Sequence, residues 1–150
     1  MLEKNKCLPT RNLYGYWQKI EARWIDNDIY GHINNAVYYT YIDSIINGYL
    51  ISQGLLEPQK SKIIGLVAES HCQFFRPVRY PISMDGGLRV EKIGNTSVRY
   101  EDAMFAEDKD EPIAVGGYTH VFVQRAGGRP TPVPQKLREV FGELIKQNVI

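Results

Sequence analysis

Cysteine is scarce. Cys7 and Cys72 are the only two in 150 residues, which excludes a disulfide scaffold, and no C-x-x-C pair offers a zinc or redox site. The three histidines, His32, His71 and His120, lie far apart, and none has metal-ligand spacing. A reduced, intracellular chain is expected, with Cys72 a small buried residue and His71 on the opposite face of the same strand. No apolar run approaches the roughly 20 residues that a membrane helix needs. Neither sign of charge is in excess. Eighteen Lys and Arg stand against seventeen Asp and Glu, a net charge of +1. With no dense basic run, bulk attraction to nucleic acid or to an acidic membrane is excluded. Residues 1–12 are polar and of mixed charge and lack the apolar core of a signal peptide, so a cytoplasmic location is expected. The P-loop and the dinucleotide glycine fingerprint are also missing.

Hydrophobic residues make up 43% of the chain, enough to bury the core of one domain. That domain spans residues 1–150, with 1–15 as an N-terminal extension. Two segments have helical periodicity. Over 35–52, Tyr38, Tyr41, Ile42, Ile45, Ile46 and Tyr49 fall on one face. Asn34 or Asn35 can cap its start and Gly54 can end it. Gly48, inside it, points to close packing. A second helix over 134–147 begins at Pro134 and carries Leu137, Val140, Phe141, Leu144 and Ile145 as its stripe. The remainder predicts strands over 16–25, 63–75, 82–93, 96–105 and 113–124. Trp17, Ile20 and Trp24 anchor the first, Gly94-Asn95 forms a tight turn, and Gly116-Gly117 suggests a bulge. A strand, a long helix, four strands as a meander and a terminal helix make an α+β domain with a mostly antiparallel sheet.

The densest polar cluster runs from Asp26 through Asn27, Asp28, Ile29, Tyr30, Gly31, His32, Ile33 and Asn34 to Asn35, between the first strand and the long helix. A helix start offers unpaired N–H groups and a positive dipole end. A carboxylate beside it suits acyl transfer, acting on a carbonyl carbon or on water while N–H groups hold the oxyanion. A calcium loop is excluded, because Tyr30 and Val37 stand where an oxygen ligand and a glutamate are needed. Asp28 can do this chemistry or merely bond backbone amides. Asp26 is expected to be structural, Asn34 a cap, and Tyr38 and Tyr41 core or pocket wall. His32 can orient a water or Asp28, or make a structural hydrogen bond. Gly31 permits an unusual backbone angle or a close approach.

The pattern Asp26-x-Asp28-x-x-Gly31-His32-x-Asn34-Asn35-x-x-Tyr38 resembles the signature of hot-dog thioesterases of the 4-hydroxybenzoyl-CoA thioesterase type. Phe74-Phe75-Arg76-Pro77 is similar to the aromatic-to-proline strand end of that family, and the resemblance spans residues 16–141. It implies a hot-dog fold, a curved antiparallel five-stranded sheet wrapped around a long central helix. The implied activity is hydrolysis of an acyl-CoA to free acid and CoA, with no metal and no organic cofactor. Asp28 falls on the catalytic aspartate, as nucleophile or general base, and the backbone oxyanion donor falls near Asn35. Gly31, His32, Asn34 and Tyr38 would bind substrate or support the site. Arg76, Arg79, Arg125 and Arg129 are candidates for the CoA phosphates. A homodimer or homotetramer with sites between subunits is implied. Gly-His-Ile-Asn-Asn stands where the 4-hydroxybenzoyl enzymes carry apolar and aromatic residues, which brings this chain closer to the fatty acyl branch. Two alternatives stay open: an acyl carrier protein as acyl donor, and an acyl-CoA-binding protein without turnover.

Overall fold

The computed structural model describes residues 7–146. After a short 3₁₀ turn at Arg11–Leu13 the elements are β1 (Tyr16–Glu21), α1 (Asn35–Ser52), β2 (Ile63–Phe74), β3 (Ser83–Ile93), β4 (Ser97–Ala106), β5 (Pro112–Gln124) and α2 (Gln135–Lys146). The five strands form one antiparallel sheet in the order β1-β3-β4-β5-β2. The expected four-strand meander is corrected by this order. β3, β4 and β5 do follow one another, but β2 pairs with β5 at the far edge. The reason is α1, which carries the chain across the sheet before β2 begins.

The two faces of the sheet can be read from β4. Val98, Tyr100 and Met104 join the core around α1, whereas Ala103 and Phe105 pack on the opposite face with Tyr14 and Val115. The α1 stripe is buried as its spacing predicts, with Ile42, Ile45 and Ile46 at most 1% exposed. Each such side chain is worth about 1.5–3 kcal/mol of burial. The helix crosses the sheet obliquely. Tyr38 packs on Phe74 of β2, Ile42 lies over Gly116 of β5, Ile45 over Gly86 of β3, and Gly48 against Gln18 of β1. Glycine at these positions lets helix and sheet approach, and Gly48 is the close contact expected of it.

Several details differ from expectation. The first strand stops at Glu21, because Arg23–Asp26 turns away as a 3₁₀ segment. Trp24 is therefore 81% exposed rather than a core anchor. The sheet has no bulge at Gly116-Gly117. The β4–β5 register instead shifts between Met104 and Phe105, and the two glycines admit neighbouring backbone, His71 O at Gly116 and Tyr100 O at Gly117. α2 begins one residue after Pro134, and position 147 of the expected helix lies outside the described residues.

Candidate active site

The polar segment before α1 is a loop pinned from several sides. Asn27 and Ile33 form an isolated bridge. The Asp28 amide donates to His32 O at 2.8 Å and the Gly31 amide to Asp28 O at 3.1 Å. Gly31 has φ +83°, a left-handed conformation in which a side chain would be strained. The loop is also tied to the segment between β2 and β3. Ile33 N donates to Val78 O at 2.8 Å, and Tyr80 N donates to Asn27 Oδ1 at 3.0 Å.

Asp26 holds this loop from inside. Its buried carboxylate accepts from Tyr41 OH at 2.6 Å, from Arg23 N at 2.8 Å and from Arg23 Nε at 3.0 Å. Burial alone would raise its pKa. The hydrogen bonds from Tyr41 and Arg23 outweigh that and hold the carboxyl below its ordinary range. The Tyr41 hydroxyl is pushed up in turn, by burial and then by the adjacent Asp26 carboxylate. Both residues are thus structural. Asn34 is the cap, its Oδ1 accepting from Ala36 N at 2.9 Å. The Asn35 amide, at the helix start, has no acceptor among the described residues.

Asp28 faces outward. Its Oδ1 accepts from Tyr30 N at 2.9 Å and from His32 N at 3.4 Å. Its Oδ2 has no partner among the described residues. A cleft of about 460 Å³ brings together Asp28, His32, Asn35, Tyr38, Phe74 and Arg76. Tyr38 and Phe74 give it an apolar wall, their rings 5.4 Å apart and edge to face. The Tyr38 hydroxyl is pushed up to about 12, mainly by burial, so it is a neutral wall rather than an acid–base group. Arg76 donates to Glu111 O at 3.2 Å, while its Nε is buried without a partner. Gly31 and Asn34 support the loop, and Arg79 is exposed on the Val78–Tyr80 segment that holds it. Arg125 is elsewhere, at the other end of β5, donating to Ser61 O and Pro58 O at 2.6 Å. Arg129, whose carbonyl accepts from Gln124 N, lies at that same remote end. The fold does not bring those two to this cleft. No cluster of three or more metal-ligating side chains occurs among the described residues.

The sequence reading missed a second cleft, of about 310 Å³, further along α1 and β2, lined by Asp43, Val67, Ser70 and Tyr118. There Asp43 Oδ1 accepts from Asn47 Nδ2 at 2.8 Å and from Tyr118 OH at 3.0 Å. The i, i+4 pair of polar residues beside the apolar stripe was the available signal. It also missed Asp102, a buried acid in the alternating series Val98, Tyr100, Asp102, Met104, whose period placed it inside.

Over 150 aligned residues the chain is 27% identical to the acyl-acyl carrier protein thioesterase ATL2 of Arabidopsis thaliana chloroplasts, covering 96% of this chain and 79% of that protein. The crystal structure of the PA5185 protein from Pseudomonas aeruginosa superposes with TM-score 0.87 at 47% identity, covering 91% of this chain and 95% of that one. The 1,4-dihydroxy-2-naphthoyl-CoA thioesterase Slr0204 from Synechocystis superposes with TM-score 0.78 over 87% of this chain and 97% of that one. At 13% identity, that match speaks for the fold alone. The family model of the thioesterase-like superfamily matches residues 22–141, from just past β1 into α2, and the chain belongs to that superfamily.

Proposed function

We propose that the protein hydrolyses an acyl-CoA thioester to a free carboxylic acid and CoA, with Asp28 as the catalytic carboxylate. The observation that carries this is the pairing of a free Asp28 oxygen with the unpaired Asn35 amide on one cleft. The acyl chain lies along Tyr38 and Phe74. The thioester carbonyl oxygen turns toward the Asn35 N–H, which stabilises the charge that develops on it. Asp28 then works in one of two ways. As nucleophile, its oxygen bonds to the carbonyl carbon, CoA leaves as thiolate, and water hydrolyses the mixed anhydride. As general base, it takes a proton from a water that attacks the same carbon. Both routes give the same products and neither asks for a metal or organic cofactor. His32 is suited to orient the water. Arg76, with its idle Nε, and exposed Arg79 are the cations offered to CoA phosphates.

The strand β2 is a sheet edge on which Leu66 and Val67 are about half exposed (50% and 49%). Open edges need cover, and we assign this one to a second copy of the chain, giving a homodimer or a tetramer built from it. An acyl carrier protein as acyl donor is the second reading, favoured by the similarity to the chloroplast enzyme. The deciding experiment measures thiol release from acyl-CoAs of graded chain length and from the matching acyl carrier protein thioesters. Turnover of acyl-CoA supports the first reading. Turnover confined to carrier-protein thioesters moves the assignment to the second, and turnover of neither sinks both.

A further inference from the structure

Asp102 sits in the middle of β4, paired with Leu88 of β3 and Gly116 of β5. Gly116 pairs in turn with Cys72 of β2. Directly opposed residues share a face of a sheet, and this row is on the face covered by α1. The Asp102 carboxyl is completely buried, and neither of its oxygens has a hydrogen-bond partner. Burial, and then the neighbouring Glu101 charge, push its pKa well above the carboxylate range. A carboxyl fully removed from water, with no donor or cation bonded to it, favours its neutral form, with one O–H to donate and lone pairs to accept. Folded cores seldom leave such a group idle. Leu88 on one side and Gly116 on the other can offer it nothing.

The row leads to the candidate active site. Phe74, which lines the cleft with Tyr38, is two residues along β2 from Cys72 and on the same face. The Cys72 thiol is itself pushed up to about 12, mainly by burial. Ile42, one turn beyond Tyr38, rests on Gly116 in the space that a side chain there would take. The order inward from the cleft is therefore Tyr38 and Phe74, then Cys72, then Gly116 under Ile42, then Asp102. These groups are packed against one another rather than lining an open channel, and the row ends on an unused donor and acceptor.

We propose that Asp102 is a specificity-determining residue that reads a hydroxyl group carried by the acyl chain of the substrate. This rests on the reading of the cleft as an acyl-thioester site. A hydroxyl both donates and accepts, so one group satisfies both capacities of the neutral acid. A plain alkyl chain leaves the acid unpaired, and that difference sets the preference. Ile42 is the side chain that turns aside to admit the chain.

The test is calorimetric titration of the protein with dodecanoic acid and with its positional hydroxy isomers. One isomer is expected to bind about tenfold or more tightly than the plain acid, as an added hydrogen bond allows. Asp102→Leu, with Asp102→Ala as the second variant, removes that preference. Asp102→Asn, which keeps a donor and an acceptor, retains part of it. A purely structural aspartate would change melting temperature in these variants and leave the preference unmoved. The proposal is overturned if the parent binds all the acids alike, binds none, or if a folded Asp102→Leu or Asp102→Ala protein keeps the preference. Binding of free acids does not depend on turnover. A parent that shows the preference yet releases no thiol sinks the thioesterase reading alone, and one that turns over acyl-CoA without the preference sinks this inference alone.

Discussion

The Tyr41 hydroxyl donates a 2.6 Å hydrogen bond to the Asp26 carboxylate, joining the second turn of α1 to the loop that carries Asp28. This bond to a charged group is worth about 1.5–3 kcal/mol. Tyr41→Phe and Asp26→Ala are each expected to lower the melting temperature and to loosen the site, whereas Asp26→Asn costs less. The pH dependence follows from the depressed Asp26 pKa. The unfolded chain takes up this proton first, so the stabilisation is present above the ordinary aspartate pKa of about 3.9 and is lost as pH falls through the lower folded value. Thermal melts of parent and Asp26→Asn between neutral and acid pH check this. The parent should lose its advantage on acidification, and parallel curves would refute it.

Asp28→Asn is expected to reduce thioester hydrolysis by roughly 10²–10⁴-fold, because an amide is neither a base nor a nucleophile of use here. The fold should survive, since an amide oxygen can accept from Tyr30 N and His32 N as the carboxylate does. Asn35→Ala keeps its backbone N–H and should be much milder. Steady-state kinetics of the two variants, beside circular dichroism, separate these outcomes. Equal losses would give the Asn35 side chain a direct part, and near-parental turnover in Asp28→Asn would remove Asp28 from the chemistry.

Asp102 predicts a pH dependence of the opposite sign. Its folded pKa is raised, so the folded state holds a proton that the unfolded chain releases. Stability is therefore greatest below the ordinary aspartate pKa and falls as pH rises toward the folded value. Asp102→Leu should remove this slope and raise stability near neutral pH by about 1–3 kcal/mol, since the unpaired group is gone and the same branched skeleton of heavy atoms remains. Denaturant titrations at several pH values give the answer directly. A destabilised but folded Asp102→Leu protein at neutral pH would mean that Asp102 has a stabilising partner.

The β2 edge should fail as an interface when charged. Leu66→Lys with Val67→Lys places two cations on that strand, and like charges facing across a pair are unfavourable. Sedimentation is expected to shift from dimer or larger toward the 17.2 kDa chain. A parent protein already monomeric at micromolar concentration would end the idea.

Much of this architecture could be read from residue order. The α1 bounds, its Asn34 cap and its buried stripe follow from helical spacing and capping chemistry, which act within a few residues. The loop stood out by its polar density, and Asp26 was separated from Asp28 in role. Strand order was not legible, because whether β2 joins β3 or β5 depends on where α1 delivers the chain. Trp24 was misplaced for a related reason. Its apolar ring suggested core, but Asp26 turns the backbone so that the ring projects into solvent beside Tyr80. The partners Val78 and Tyr80 of the loop are some fifty residues away in sequence, and no local pattern announces them.

Asp28 takes its two hydrogen bonds from the backbone amides of residues 30 and 32 rather than from their side chains. The identities of Tyr30 and His32 are therefore not written into the placement of the carboxylate, and neither is that of Ile29, which is 96% exposed. Ile29 and Tyr30 can vary while the Asp28 carboxylate stays where it is, whereas His32 lines the cleft itself. The surface of the loop can drift here, by selection or by a designed library, without moving that carboxylate, provided that Gly31 keeps its left-handed turn.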